Sequence, residues 1–119
     1  MITDNFNKVS KQNAEKYVWG DNCKGWYFHK HSELTIIRET MPTGTSEQLH
    51  YHKKSLQFFF IIAGEAMFEV EGEKIMLLPG EGITINPGLK HCIKNPGNSE
   101  LEFLVISQPE SHNDRINIK

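Results

Sequence analysis

The sequence predicts an all-β protein, a single barrel or sandwich of short strands preceded by a polar N-terminal arm. Three observations predict it. Turn dipeptides punctuate the chain from residue 25 onward: Pro42-Thr-Gly44, Ala63-Gly64, Glu71-Gly72, Pro79-Gly80, Pro87-Gly88 and Asn95-Pro-Gly97. Glycine tolerates positive φ and proline fixes φ, so such clusters mark chain reversals. Apolar residues alternate between them, with Ala66, Phe68 and Val70 on one face and Met67, Glu69 and Glu71 on the other. Leu101, Phe103 and Val105 repeat that pattern, while Phe58–Ile62 is apolar on both faces, as a central strand is.

Taken in order, the predicted strands are Trp26–His29, Leu34–Met41, Gln48–His52, Gln57–Ala63, Ala66–Val70, Lys74–Leu78, Gly82–Ile85, His91–Lys94 and Leu101–Ser107. About nine short strands at this spacing make a sandwich or barrel. Residues 1–24 read as a polar arm with a short helical turn around Asn13–Tyr17, residues 25–108 as the barrel, and residues 109–119 as a tail that covers an edge or a barrel mouth. A chain of 119 residues has room for one compact domain and no repeat is visible.

Composition excludes several classes. Hydrophobic residues make up 38% and charged residues 24%, which fits neither disorder nor a membrane span. The N-terminus lacks the apolar core of a signal peptide, so a cytoplasmic protein is expected. A formal charge of -2 gives no electrostatic reason to bind nucleic acid or an anionic membrane. Cys23 and Cys92 are far apart and read as two reduced thiols. Sheet edges must be covered, and the arm before Gly25 predicts a homodimer in which it covers an edge of a partner.

Two segments carry chemistry. The first is Gly44-TSEQL-His50-Tyr-His52-KKSL-Gln57-FFFIIA-Gly64; the second is Gly80-EGITI-Asn86-Pro87-Gly88-LK-His91-CIK-Asn95. Strand residues two apart share a face, so His50 and His52 present two imidazoles together. Gln57 opens the next strand beside them, and His91 follows a rigid Pro-Gly turn that fixes where its strand begins. Three imidazoles and an amide oxygen suit one divalent transition ion, Fe, Mn, Ni, Co, Cu or Zn. Gln57 either coordinates through its carbonyl oxygen or orients a bound water. His29-Lys30-His31 repeats the spacing without the surrounding residues and reads as a strand end. Glu39 and Gln48 are candidates to line the pocket by position. His112, Asp114 and Arg115 read as exposed tail residues, with the alternative that the tail folds over the mouth and Arg115 grips an anion. The stripe of Phe58, Phe59, Phe60, Phe68 and Phe103 reads as core.

These segments resemble the paired motifs of the cupin superfamily. The first motif places Gly, His-x-His, an acidic residue and Gly at the spacings of Gly44, His50, His52, Gln57 and Gly64, with Gln57 standing where the family has Glu. The second motif matches Gly80, Gly88, His91 and Asn95, with Asn86 at a position the family gives to Pro. The resemblance implies a cupin jelly-roll with a metal inside, and it places the ligands on His50, His52, Gln57 and His91. It also implies a metal-dependent enzyme on a small oxygenated metabolite such as a sugar acid or keto acid. An isomerase or lyase would stabilise an enolate there, and a dioxygenase would activate oxygen. The alternative is a non-catalytic small-molecule-binding module. Glutamine among three histidines is also found in small pectin-pathway cupins, which place an Asp roughly where Val105 stands here.

Overall fold

The computed structural model describes residues 5–119. It contains eleven strands: β1 (Glu15–Trp19), β2 (Cys23–His31), β3 (Leu34–Met41), β4 (His50–His52), β5 (Leu56–Ala63), β6 (Ala66–Val70), β7 (Glu73–Leu77), β8 (Gly82–Ile85), β9 (His91–Lys94), β10 (Leu101–Gln108) and β11 (Arg115–Asn117). They form two antiparallel sheets, a six-stranded one in the order β1-β2-β3-β10-β5-β8 and a five-stranded one in the order β11-β4-β9-β6-β7. The all-β jelly-roll sandwich expected from the sequence is the observed fold.

The alternating positions face one another across the sandwich. Phe68 and Ile93 of the five-stranded sheet meet Ile61, Ile85, Leu101 and Phe103 of the six-stranded one, each 1% exposed or less. Burying each such side chain is worth about 1.5–3 kcal/mol, so this layer is the main reason the sheets stay together. Asn95 closes one end of the core. Its amide donates to the carbonyls of Met41 and Ser99, both at 2.9 Å, and its Oδ1 accepts from Gly97 N at 3.0 Å. The phenylalanine stripe divides by parity: Phe59 is buried with Phe68 and Phe103, whereas Phe60 points outward and is 36% exposed.

Two expectations are corrected and one is met. The segment read as a helical turn around Asn13–Tyr17 contains β1, which pairs with β2 in the register Tyr17↔Gly25. Alternation of half-buried Tyr17 and Trp19 with exposed Lys16 and Val18 is a strand pattern too short to stand out among polar neighbours. The tail does cover an edge, as expected: it contains β11, which pairs Arg115 with His52 along the free edge of β4. The strand predicted from Gln48 begins only at His50. Residues 1–4 of the expected arm lie outside the described residues.

Candidate metal centre

His50, His52 and His91 converge. Strand β4 places the first two on one face, and the cross-strand partner of His50 is His91 on β9. The turn at Pro87-Gly88 fixes that register. Gly88 adopts φ +89°, a left-handed conformation that a side chain would disfavour, and its N–H donates to His52 O at 2.7 Å. All three histidines are at most 4% exposed. One ring nitrogen from each lies within 4.8 Å of the others, near enough for side-chain rotation to gather them at the ~2.0–2.1 Å of metal–imidazole bonds. The decoy pair His29 and His31 lies on exposed positions of β2.

The tautomers follow from the backbone. His50 Nδ1 lies 2.8 Å from Gln48 O, and His91 Nδ1 lies 2.9 Å from Leu89 O. A carbonyl only accepts, so each Nδ1 carries the proton and each Nε2 presents a lone pair. Gln57, 6% exposed, donates its Nε2 to Ser107 Oγ at 3.0 Å. That leaves Gln57 Oε1 3.2 Å from His91 Nε2. Two lone pairs face each other across that gap, and a shared cation removes the conflict. His52 Nδ1 is buried without a hydrogen-bond partner. The donor set therefore fits a divalent transition ion.

Electrostatics keep the imidazoles ready to bind. Burial pushes His50 down to about 3 and His52 down to about 4, and it also lowers His91. All three are neutral at pH 7, the form that ligates. Two carboxyl groups share the cavity. Burial raises Glu39 to about 8 and Glu47 to about 7. Glu47 is held by Arg115 at 3.2 Å, and its Oε1 lies 3.8 Å from His50 Nδ1. Tyr17 Oη lies 2.5 Å from Glu39 Oε2.

His50, His52 and Gln57 line a cavity of about 60 Å³ that is partly open and also bounded by Glu39, Glu47 and Arg115. Of the two pocket candidates named by position, Glu39 lines it and Gln48 does not: Gln48 is exposed and its side chain donates to Ile118 O at 3.2 Å. Its neighbour Glu47 takes the inward place. Because β4 starts at His50, alternation does not carry back to Gln48, and sequence parity missed Glu47 for that reason. The tail residues His112 and Arg115 also line the cavity, so the tail does fold over the mouth. Asp114 fastens it: its carboxylate accepts the backbone N–H groups of Lys53, Lys54 and Ser55 at 3.2, 2.8 and 2.8 Å. Burial pushes that carboxyl up, but the three donors outweigh it and hold it below the usual carboxylate range.

A family model described as "Cupin domain" matches residues 37–107. The chain belongs to the cupin family. An oxalate-binding protein of Thermotoga maritima is 33% identical to this cupin over 71 residues, 60% of this chain and 59% of that one. A mannose-1-phosphate guanylyltransferase of Salmonella montevideo is 40% identical over 63 residues, 53% of this chain and 13% of that one. The cupin thus spans about three fifths of the first relative and a small part of the second. Among solved structures, a predicted oxalate decarboxylase from Thermotoga maritima superposes with a TM-score of 0.80 at 22% identity, covering 87% of this cupin and 100% of that chain. That likeness shows the fold alone.

Proposed function

We propose that this cupin holds one divalent transition-metal ion on His50, His52, His91 and the carbonyl oxygen of Gln57, and that it is a metal-dependent enzyme on a small anionic oxygenated metabolite. The reaction class is isomerase/lyase or dioxygenase chemistry, and the substrate class is a keto acid, sugar acid or short dicarboxylate. The observation that carries the reading is the convergence of His50, His52 and His91, one ring nitrogen of each within 4.8 Å of the others, with Gln57 Oε1 3.2 Å from His91 Nε2. When bound, the ion supplies Lewis acidity and open positions for two ligand oxygens.

The chain's own residues set the rest. All four ligands are neutral, so they leave the ion's charge uncompensated and the site favours an anion. Arg115, with a third of its side chain exposed at the mouth, adds a further cation. The cavity of about 60 Å³ is well below the ~150 Å³ void that accommodates benzene, so its enclosed part suits a few-atom group. The relative described as an oxalate-binding protein supports the anionic class. Its description also favours the second reading, a binding module without turnover.

Metal content of protein purified without added metal tests the site. His50→Ala and His91→Ala are expected to lose most of the ion, and His29→Ala to keep it; equal content in all would refute the assignment. Oxygen uptake and product analysis with a panel of 1,2-dioxygenated acids then separate an enzyme from a binding module.

We also propose that two copies associate through the β1 edge, where Val18 is 61% exposed beside the unpaired side of the larger sheet. Sedimentation at micromolar concentration should show a dimer; a monomer alone would refute it. Two free, buried cysteines support a cytoplasmic setting.

A further inference from the structure

We propose that Glu39 is the group that presents a proton to the ligand in the cavity, and that Tyr17, reaching across Gly25, decides which carboxyl oxygen carries it. The proposal rests on the small-anion reading above for the identity of the ligand, but not for the state of Glu39.

The geometry is a row across three strands. Tyr17 on β1 pairs with Gly25 on β2, and Gly25 pairs with Glu39 on β3. The strand between the two polar groups carries no side chain at the crossing point. A methyl group there would fall inside the Tyr17 ring, with the phenol oxygen and Cε1 both 2.6 Å away. The missing Cβ thus lets the ring lie over β2 and bring its hydroxyl to Glu39 Oε2. Glycine in a strand interior weakens the sheet, and a close approach of this kind is what it gives in return.

The hydrogen bond has a chemical consequence. Tyr17 donates to Oε2, which makes Oε2 the carbonyl-like oxygen of a protonated carboxyl group. The acid proton then sits on Oε1, which has no partner among the described residues and is left for the occupant of the cavity that Glu39 lines. The surroundings favour that protonated form. Around Glu39 stand Tyr17 on β1, Cys23 and Tyr27 on β2 and Glu47 before β4, with His112 in the tail and Arg115 on β11 lining the same cavity. No cation pairs directly with Glu39 among the described residues; Arg115 is engaged with Glu47, Asn117 and Gln48 O. Burial disfavours the carboxylate most, the Tyr17 hydrogen bond opposes it, and the charge of Glu47 reinforces it. An anionic ligand beside the ion therefore meets a hydrogen-bond donor on this wall instead of a second negative charge. Glu47 serves differently, since Arg115 holds it and its free oxygen sits near His50.

Two measurements test this. The first needs neither metal nor ligand: the side-chain carboxyl 13C resonance of Glu39, assigned as the one absent from Glu39→Gln, is followed against pH. Titration near 8 is expected, and titration in the ordinary carboxylate range overturns the proposal. Tyr17→Phe removes a bond that favours the ionised form, so the midpoint should move up; a purely structural Tyr17 would leave it in place or, by admitting water, move it down. Either of those results overturns the role of Tyr17.

The second measurement is oxalate binding to the metal-loaded protein. Affinity should fall above pH 8, by up to about tenfold per pH unit, and Glu39→Gln, which keeps a donor but cannot ionise, should be flat over that range. A parallel decline in Glu39→Gln and parent overturns the proposal. Absence of oxalate binding at every pH refutes the ligand class and overturns the ligand-facing half of the proposal, while the carboxyl titration still decides the state of Glu39.

Discussion

Metal affinity should be nearly independent of pH between 7 and 5. Three imidazoles with the ordinary pKa near 6.5 would each be about 3% neutral at pH 5, so their combined competition with protons would cost roughly 10⁴-fold in apparent affinity, about 6 kcal/mol. In this site, burial has already disfavoured the imidazolium. His50, 2% exposed, titrates at about 3, His52, 4% exposed, at about 4, and His91 is lowered as well. A depressed imidazole stays available to the ion until pH falls through its folded-state value. His50 and His52 therefore remain roughly 90% or more neutral at pH 5, and the expected loss stays below about thirtyfold, the ceiling that His91 would set at its ordinary value. Competition of Zn²⁺ between the protein and a chromophoric chelator, corrected for the chelator's own protonation, measures this at pH 7, 6 and 5. Circular dichroism on the metal-free protein checks that it stays folded at each value. A decline steeper than about a hundredfold would refute the reasoning, because it would mean that the imidazoles reach water freely and are not held as a dry, neutral set.

Three further outcomes are expected. Gln57→Glu should tighten metal binding by at least about tenfold and weaken oxalate binding, since a carboxylate cancels part of the ion's charge; a lower melting temperature with no gain in metal affinity would show that Gln57 does not coordinate. Gly25→Ala should cost about 1–3 kcal/mol by driving a methyl group into the Tyr17 ring, and Tyr17→Ala in the same chain should recover much of it, a coupling that urea melts of the four-member cycle would detect. Arg115→Ala removes the 3.2 Å partner of Glu47, whose folded-state pKa is already raised to about 7. The stability from a raised carboxyl is full below its unfolded value near 4.5 and lost as pH rises through the folded value. The variant should therefore match the parent at pH 5 and fall behind it at pH 8, by about 1–2 kcal/mol after allowing for the partly exposed arginine; a constant offset across that range would contradict this.

The barrel was legible because its strands obey a strict alternation and its turns carry glycine and proline with a steric reason. Phe68, Phe103 and Val105 fall inside as parity requires. The convergence of His50, His52, Gln57 and His91 was legible because strand parity fixes the first pair and a rigid turn fixes the last member. The second rank around them was not. Glu47 sits before β4, where the backbone leaves the alternating conformation. Tyr17 depends on a glycine whose purpose is visible only once three strands are laid side by side. Arg115 and His112 come from a polar stretch with no apolar period, and Asp114 reveals its place only through three amides some sixty residues away in sequence. Non-local pairing of this kind leaves no trace in any short window of sequence.

The sharing of labour along the chain has an evolutionary reading. The stretch common to the family, residues 37–107, contains all four proposed ligands together with Glu39 and Glu47. The pieces that finish the mouth come from outside it: Tyr17 on β1, His112 and Asp114 in the turn ahead of β11, and Arg115 on β11. Shared ancestry would then preserve the ion's seat while the two flanking strands drift. Exchanging only residues 5–31 and 109–119 between relatives should transplant ligand choice from one to another and leave metal preference behind.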